Sequence, residues 1–253
     1  MRTIDLNSDI GESFGEWTLG DDEALLRVVT SANIACGMHA GDPGVMRQTV
    51  DAALAHGVAI GAHPGLPDLV GFGRRRMAIT PQEAYDIVLY QVGALSAFVR
   101  AAGGRMQHVK PHGALYNMAA ADAELADAVA RAVHDISPEL ILYGRSGSAL
   151  IAAGERAGLR TASEVFADRR YLPDGALAPR DNGAGVIHDV EQVTQQVFRM
   201  LRDGVVFADD KPVPVTAETV CIHGDTPGAG ELAQRLRERL EQEDVRVCAL
   251  SIE

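Results

Sequence analysis

Four of the eight histidines in this chain follow an apolar run and lie in a glycine- or proline-rich turn. Imidazole binds divalent metals and moves protons near neutral pH, so this pattern favours a shared pocket over scattered core positions. If each apolar run is a parallel strand of one sheet, the turns gather at one end of it. The four are His39 in NIACGMHAGDP, His63 in AIGAHPGLPD, His112 in HVKPHGALYN and His223 in TVCIHGDTPG.

The segment IDLNSDIGES has the same design with acids in place of histidine. Asp9 ends its alternating polar pattern and Glu12 follows a glycine, so both carboxylates belong at that end of the sheet. Asp9 or a pocket histidine could activate water as a general base. Lys110 and His112 could stabilise an oxyanion or bind a carboxylate, although an ion pair with a neighbouring strand is the alternative for Lys110. The catalytic candidates are therefore Asp9, Glu12, Lys110 and His112.

One aspartate and two histidines from different strands would make a divalent metal site that leaves room for water or substrate. Asp9, His39 and His63 are the candidates for these three ligands. The chain has no HExxH or similar local pair to fix the geometry. For each histidine taken alone, a hydrogen-bonded residue that holds a turn is the alternative interpretation.

The same end of the sheet supplies candidates for substrate binding. Arg74 follows the glycines of GFGRRR in a long link, where glycine allows a hinge and the guanidinium offers a bidentate fork to an anion. A second loop, ADRRY, combines an acid with arginines and could act as a lid or as a surface for a partner. The substrate-binding candidates are His39, His63, Arg74, His223 and Asp225.

Apolar runs of strand length alternate with segments of helical period along the whole chain. This alternation predicts right-handed crossovers and a mostly parallel sheet. About seven or eight such units in a chain of this length favour an α/β fold in which about seven parallel strands close a (β/α) barrel, as a single domain over residues 1–253. The predicted strands are 3–8, 31–36, 58–62, 107–110, 140–143, 160–164, 219–222 and 245–250. The predicted helices are 21–28, 42–56, 80–102, 122–134, 147–157, 189–203 and 230–242.

Composition excludes several classes of partner. A formal net charge of -12 argues against nucleic acid or an anionic membrane surface, because the summed field would repel phosphate. No signal region opens the chain and no apolar run approaches the roughly 18 residues needed to span a bilayer, so we expect a soluble cytoplasmic protein. Three dispersed cysteines predict neither a disulfide framework nor a zinc-thiolate site. The chain also lacks a GxxxxGK(S/T) loop for ATP.

Six segments together resemble the signature blocks of the LamB/YcsF family. They are DLNSDIGESFGEW, NIACGMHAGDP, GAHPGLPD with GFGRR, VKPHGALYN, EVFADRRY and CIHGD, and they extend from Asp5 to Asp225. The resemblance implies a deacetylase-like (β/α) barrel with seven main strands. It also implies an ATP-dependent hydrolase that opens 5-oxo-L-proline to L-glutamate and needs the 5-oxoprolinase subunits B and C as partners. Ser8 departs from the family pattern, which usually has cysteine there.

Three hypotheses about function remain open from the sequence. The resemblance favours lactam opening, with ATP bound at a partner subunit or at the interface because this chain has no phosphate-binding loop of its own. A stand-alone deacetylase or amidohydrolase that uses a divalent metal, acting on an N-acyl or carbohydrate substrate, would depend on Asp9, His39 and His63. A protein without catalytic activity, which binds a small ligand and regulates its partners, is the third.

Overall fold

Strands and helices alternate along the chain, as the spacing of its apolar runs predicts. The computed structural model describes residues 2–180, 185–224 and 228–251, and the predicted site residue Asp225 falls outside these ranges. Within them the strands are β1 (Arg2–Ile10), β2 (Ser31–Ala35), β3 (Ala59–His63), β4 (Met106–Val109), β5 (Ile141–Arg145), β6 (Thr161–Phe166), β7 (Val205–Ala208), β8 (Lys211–Pro214), β9 (Thr219–Cys221) and β10 (Val245–Val247).

Seven parallel strands close into a barrel in the order β1, β2, β3, β4, β5, β6, β9 and back to β1. The closure is a parallel pairing in which Asp5, Leu6 and Asn7 of β1 lie opposite Thr219, Val220 and Cys221 of β9. Strand β10 pairs with the first residues of β1, outside the ring. The predicted (β/α) barrel of about seven strands is confirmed.

Helices cover the outside of the ring. They are α1 (Asp22–Leu26), α2 (Pro43–His56), α3 (Pro81–Ala101), α4 (Gly113–Ala121), α5 (Ala123–Ile136), α6 (Ala149–Arg156), α7 (Val190–Asp203) and α8 (Ala229–Gln242). The sequence signal at the start of α3 has its expected geometry: Thr80 and Glu83 form a capping box, with proline in the first turn. No helix among the described residues is long and apolar enough to cross a membrane.

Alternation along β1 separates two environments. Leu6 and Ile10 are buried in the hydrophobic core that joins the ring to its helices. The intervening residues Asp5, Asn7 and Asp9 are buried among polar groups of other strands. Because the side chains of a strand alternate between its two faces, this pattern places a polar column inside the barrel, with Asp9 at its upper end.

Two elements of the structure were not predicted from the sequence. One is α4, which begins directly after His112. The other is an antiparallel hairpin of β7 and β8 that lies between α7 and β9. Neither changes the order of the ring, but α4 starts at the pocket and therefore belongs to the site.

Candidate active site

The carboxyl ends of the barrel strands enclose a pocket of about 360 Å³. Such a volume is at the lower end of the range for small-molecule sites. Seven of the predicted site residues line it: Asp9, Glu12, His63, Arg74, Lys110, His112 and His223. His39 lies directly beneath, fully buried, with its ring stacked on that of His112 at 3.7 Å between centroids.

The ammonium group of Lys110 is enclosed by acceptors from several strands. Its Nζ lies 2.9 Å from Asp9 Oδ1 and 2.8 Å from Glu164 Oε1. Asn7 Oδ1 at 3.2 Å and Cys221 Sγ at 3.0 Å complete its surroundings. Burial alone would lower the pKa of Lys110, but the neighbouring acids raise it well above its usual value. An ammonium has three N–H donors, so these neighbours already use its whole capacity.

Asp9 is the acid that links this ammonium to the histidines. Its Oδ2 lies 3.3 Å from His63 Nε2 while its Oδ1 accepts from Lys110. Burial acts to raise the pKa of Asp9, yet His63 and Lys110 together hold that pKa well below its ordinary value. Asp9 is therefore a carboxylate at neutral pH.

A buried amide fixes the orientation of Asp9 from inside the barrel. Asn33 Nδ2 donates to Asp9 Oδ1 at 2.9 Å and to Asn7 Oδ1 at 2.8 Å. Its Oδ1 faces His108 Nε2 at 2.8 Å, which requires the proton of that imidazole to be on Nε2. Burial lowers the pKa of His108 to about 3, so the ring stays neutral and the orientation of Asn33 is set. Gly61 leaves room for this ring, because a Cβ there would overlap it.

Main-chain carbonyls fix the tautomers of two pocket histidines. His63 Nδ1 lies 2.7 Å from Lys110 O, and His112 Nε2 lies 2.8 Å from Phe72 O. Each of these nitrogens must carry a proton to donate to a carbonyl oxygen. The opposite nitrogens, His63 Nε2 and His112 Nδ1, are thus left with lone pairs and face each other at 2.9 Å.

The facing lone pairs belong to a cluster that could hold a metal ion. One ligand atom each of Glu12, His39, His63 and His112 lies within 4.8 Å of the others, and all four residues are buried. Glu12 Oε1 is 3.3 Å from His112 Nδ1 and 3.4 Å from His39 Nε2. Neither ring nitrogen of His39 has a hydrogen-bond partner among the described residues. Carbonyl-oriented histidines with one carboxylate are the donor set of many divalent metal sites.

Asp9 lies beside this cluster but is grouped with other residues. It forms a second set with Cys221 and His223, whose candidate ligand atoms also lie within 4.8 Å of one another. The ammonium of Lys110 already contacts Asp9 and Cys221, so a cation occupies this second set. The three ligands expected from the sequence are therefore redistributed: His39 and His63 stay together, while Glu12 and His112 take the place of Asp9.

His223 is held by an acid from the loop after β6. Its Nδ1 lies 2.9 and 3.1 Å from the two oxygens of Asp168, so Nε2 is the nitrogen that remains for the pocket. Its ring also stacks on Phe166, at 5.6 Å between centroids. Burial would raise the pKa of Asp168, but His223 lowers it.

The arginine-rich link after β3 forms part of the pocket wall. Arg74 lies over the ring of Phe72, 4.8 Å from its centroid, and the carbonyl of Phe72 is the group that orients His112. Arg75 instead pairs with Asp68, whose pKa is lowered to about 2 by that contact. Within the arginine run, Arg74 and Arg76 line the pocket, while Arg75 stabilises its own loop.

Several contributors to the site were not among the residues predicted from the sequence. Glu164 follows an ordinary apolar run, and its second oxygen accepts from Tyr116 at 2.6 Å. Asn33 and Cys221 lie within strands, where the sequence offers no signal beyond strand polarity. The alternation of Asp5, Asn7 and Asp9 was the available hint that polar groups continue into the barrel.

Comparison with known proteins gives concordant results over the whole length. Residues 4–253 match the sequence profile of the LamB/YcsF family. The 5-oxoprolinase A subunit of Bacillus licheniformis is 59% identical over 252 residues, which cover 99% of this chain and 100% of that protein. The crystal structure of a lactam utilization protein from Thermus thermophilus has a TM-score of 0.91 at 49% identity, covering 98% of this chain and 100% of that one.

A more distant structure shares the fold alone. A polysaccharide deacetylase from Bacillus cereus is 12% identical, with a TM-score of 0.50, covering 99% of this chain and 93% of that one. The barrel is therefore of the deacetylase-like type that the sequence blocks imply.

Proposed function

This chain belongs to the LamB/YcsF family, and we propose that it is the A subunit of an ATP-dependent 5-oxoprolinase, which opens 5-oxo-L-proline to L-glutamate. The observation that carries the proposal is the full-length identity of 59% to a protein of that name. The pocket supports it, because a small volume lined by ionised and imidazole groups suits a small polar substrate and hydrolysis.

In this proposal Asp9 and His63 act on the attacking water. His63 presents Nε2 to the pocket because its other nitrogen donates to the carbonyl of Lys110. Asp9 is kept ionised and lies 3.3 Å from that Nε2. A water molecule between them would be oriented by the carboxylate and would give its proton to the imidazole as it attacks the lactam carbonyl.

The same arrangement assigns Lys110 a role inside the protein. All of its hydrogen-bonding capacity is used by Asn7, Asp9, Glu164 and Cys221, so it does not bind the substrate's carboxylate. It instead keeps Asp9 ionised and fixed in position. This is the ion pair with neighbouring strands that the sequence left open as an alternative.

We also propose that Glu12, His39, His63 and His112 hold a divalent metal ion. The donor set fits one, because the tautomers fixed by carbonyls direct two lone pairs and a carboxylate to one point. A metal there would polarise the substrate carbonyl or its water as a Lewis acid. Glu12 supplies the negative charge that balances it, and the stacked rings of His39 and His112 hold their nitrogens in place.

ATP and the partner subunits complete the proposed reaction. A five-membered lactam is a stable amide, and transfer of a phosphoryl group from ATP to its oxygen would make the carbonyl carbon a better electrophile. Water then attacks that carbon, the C–N bond breaks and the ring nitrogen takes up a proton. Since the chain carries no phosphate-binding loop of the Walker type, we propose that ATP binds to one of the subunits B and C or at their interface with this chain, in the cytoplasm where ATP is present.

Reconstitution tests the proposed function directly. The chain is mixed with its subunits B and C, ATP and 5-oxo-L-proline, and glutamate is measured. We expect glutamate only when all components are present, and the Asp9→Asn variant serves as the inactive control. A folded complex that forms no glutamate would refute the assignment.

The cluster of three histidines and Glu12 is also what a stand-alone metal-dependent deacetylase or amidohydrolase would need. Release of acetate from an N-acetylated sugar by the isolated chain, with no requirement for ATP, would favour that alternative. A chain that only regulates its partners would instead leave their glutamate production intact when Asp9 is replaced. The same set of assays therefore distinguishes both alternatives from lactam opening.

A further inference from the structure

Arg169 is a buried cation on the pocket wall. Its side chain is about nine-tenths buried and lines the same pocket as Asp9 and His63. Its Nε donates to Gly185 O at 3.1 Å and one terminal nitrogen donates to Ala178 O at 2.5 Å. Both acceptors are neutral main-chain oxygens, so among the described residues the guanidinium is held in place without being neutralised by a salt bridge.

Two further guanidinium groups lie close to it. Burial lowers the pKa of Arg169 to about 10, and the charges of Arg180 and Arg74 act in the same direction. Asp168 opposes them, but its carboxylate is engaged by His223 through both oxygens. Like charges held together in a partly buried wall repel one another unless an anion lies between them. The three side chains, here called the arginine wall, are Arg74, Arg169 and Arg180.

The rest of the pocket has the opposite character. Asp9 and Glu12 line it, and Glu164 lies buried behind Lys110. A substrate carboxylate would be repelled by this acidic part, and Lys110 has no hydrogen-bonding capacity left for it. The arginine wall is the part of the lining where a carboxylate is stabilised, because a guanidinium offers two parallel N–H donors to it.

We propose that the arginine wall is a carboxylate subsite, in which Arg169 anchors the carboxylate of 5-oxo-L-proline and so directs the lactam carbonyl toward Asp9 and His63. The subsite rests on the proposed function for the identity of the substrate. It makes Arg169 a residue that determines specificity: a lactam without a carboxylate loses this anchor, although its ring still fits beside the histidines.

The test compares two lactams in the complex with subunits B and C. The Michaelis constant for 5-oxo-L-proline is measured together with the inhibition constant of 2-pyrrolidinone, the same ring without the carboxylate. For Arg169→Met we expect the Michaelis constant to rise roughly 10- to 100-fold, as for loss of a charge-assisted hydrogen bond, with the inhibition constant of 2-pyrrolidinone unchanged. Arg169→Lys keeps the charge but not the fork, and should fall between the two.

Arg170→Met is the matched control, because Arg170 is the adjacent residue but is exposed and does not line this pocket. It should leave both constants as in the wild type. A parallel rise of both constants in Arg169→Met would mean that the variant has damaged the pocket as a whole, and would overturn the proposal. An unchanged Michaelis constant would overturn it as well.

Inorganic phosphate provides a further arm, since arginines also bind phosphate. If phosphate inhibition is lost in Arg169→Met while the constants for both lactams stay the same, the wall is a phosphate site and the carboxylate assignment is wrong. If the wild-type complex forms no glutamate, the proposed function fails, and calorimetry on the chain itself decides the subsite. Tighter binding of 5-oxo-L-proline than of 2-pyrrolidinone, lost in Arg169→Met, would support it; equal binding would overturn it.

Discussion

His63 Nε2 and His112 Nδ1 lie 2.9 Å apart although the second nitrogen of each ring donates to a main-chain carbonyl. Two neutral imidazoles in these tautomers would direct lone pairs at each other, with the carboxylate oxygens of Asp9 and Glu12 close by. Such an arrangement is stable only with a positive charge between the rings. A proton shared by the two nitrogens or a divalent cation supplies it.

Metal analysis decides between these two cations. If the cluster binds a metal, the purified chain should take up about one equivalent of a divalent ion, and Glu12→Gln or His112→Ala should reduce that uptake at least tenfold. The exposed His134 provides the control, since His134→Ala should bind as the wild type does. Full activity of the complex after thorough chelation would instead assign the positive charge to a proton.

Replacing Asp9 by asparagine keeps the shape of the side chain and removes its charge. We expect the turnover number of the reconstituted complex to fall roughly 10²- to 10⁴-fold, the usual range for loss of a general base or of the group that orients it. The Michaelis constant should change little, because the carboxylate subsite is elsewhere. Asp51→Asn, on the exposed face of α2, is the control. Near-normal turnover of Asp9→Asn would remove Asp9 from the reaction.

Lys110→Met leaves two buried carboxylates without their cation. We expect the free energy of unfolding at pH 7 to fall by about 3–5 kcal/mol, the usual cost of breaking a buried ion pair from one side. The pKa of Asp9 is held below its ordinary value of 3.8, so the stabilisation from its pairing is complete above that pH and is lost as the pH falls further. Urea titrations should therefore show the deficit narrowing below about pH 4. Lys211→Met, at an exposed position, should show no deficit.

Asp22 has the opposite dependence on pH. It accepts from the amide of Gly11, in the loop between Asp9 and Glu12, and burial raises its pKa from 3.8 to about 6. Between these values the folded protein holds a proton that the unfolded chain releases, so stability falls as the pH rises, by up to roughly 3 kcal/mol. Asp22→Asn keeps the acceptor without the charge. It should be more stable than the wild type at pH 8 and nearly equal at pH 3, as measured by urea unfolding, and an equal difference at both would contradict this account.

Gly61 supports the amide that orients Asp9. Gly61→Ala places a methyl group where the ring of His108 lies, and the ring cannot move without losing Asn33. We expect about 1–3 kcal/mol of destabilisation, as for overpacking, together with lower turnover. Gly93 is the matched control, because a Cβ there meets open space on a helix. Gly93→Ala should raise the stability by about 0.5–1 kcal/mol and leave turnover unchanged.

The strands of the ring were predictable because each is an apolar run that ends at a turn, whereas the two missed elements lack the usual local signals. Helix α4 is buried on nearly all sides, so it has no polar face to give it a helical period. The turn between β7 and β8 has positive φ at both Asp209 and Asp210. Hairpins of this kind usually use Asn-Gly or Asp-Gly, and the Asp-Asp pair does not announce one.

Part of the site was likewise accessible from residue types and part was not. Geometry at the ends of parallel strands is enough to bring Asp9, His63 and His223 together. The choice of metal ligands depends on where the carbonyls of Lys110 and Phe72 point, which residue spacing does not contain. The role of Lys110 depended on Glu164, a single acid in a strand that resembles any other.

Closure of the ring between its first strand and β9 has a consequence for synthesis of the protein. Asp9 is made almost at once, while Cys221 and His223 appear only near the end, and Asn7 donates to Thr219 across 212 residues of chain. Contacts of such long range form late and slow the folding reaction. A growing chain on the ribosome therefore carries its acids and first histidines without a pocket, and the nearly completed polypeptide is the earliest species able to bind substrate.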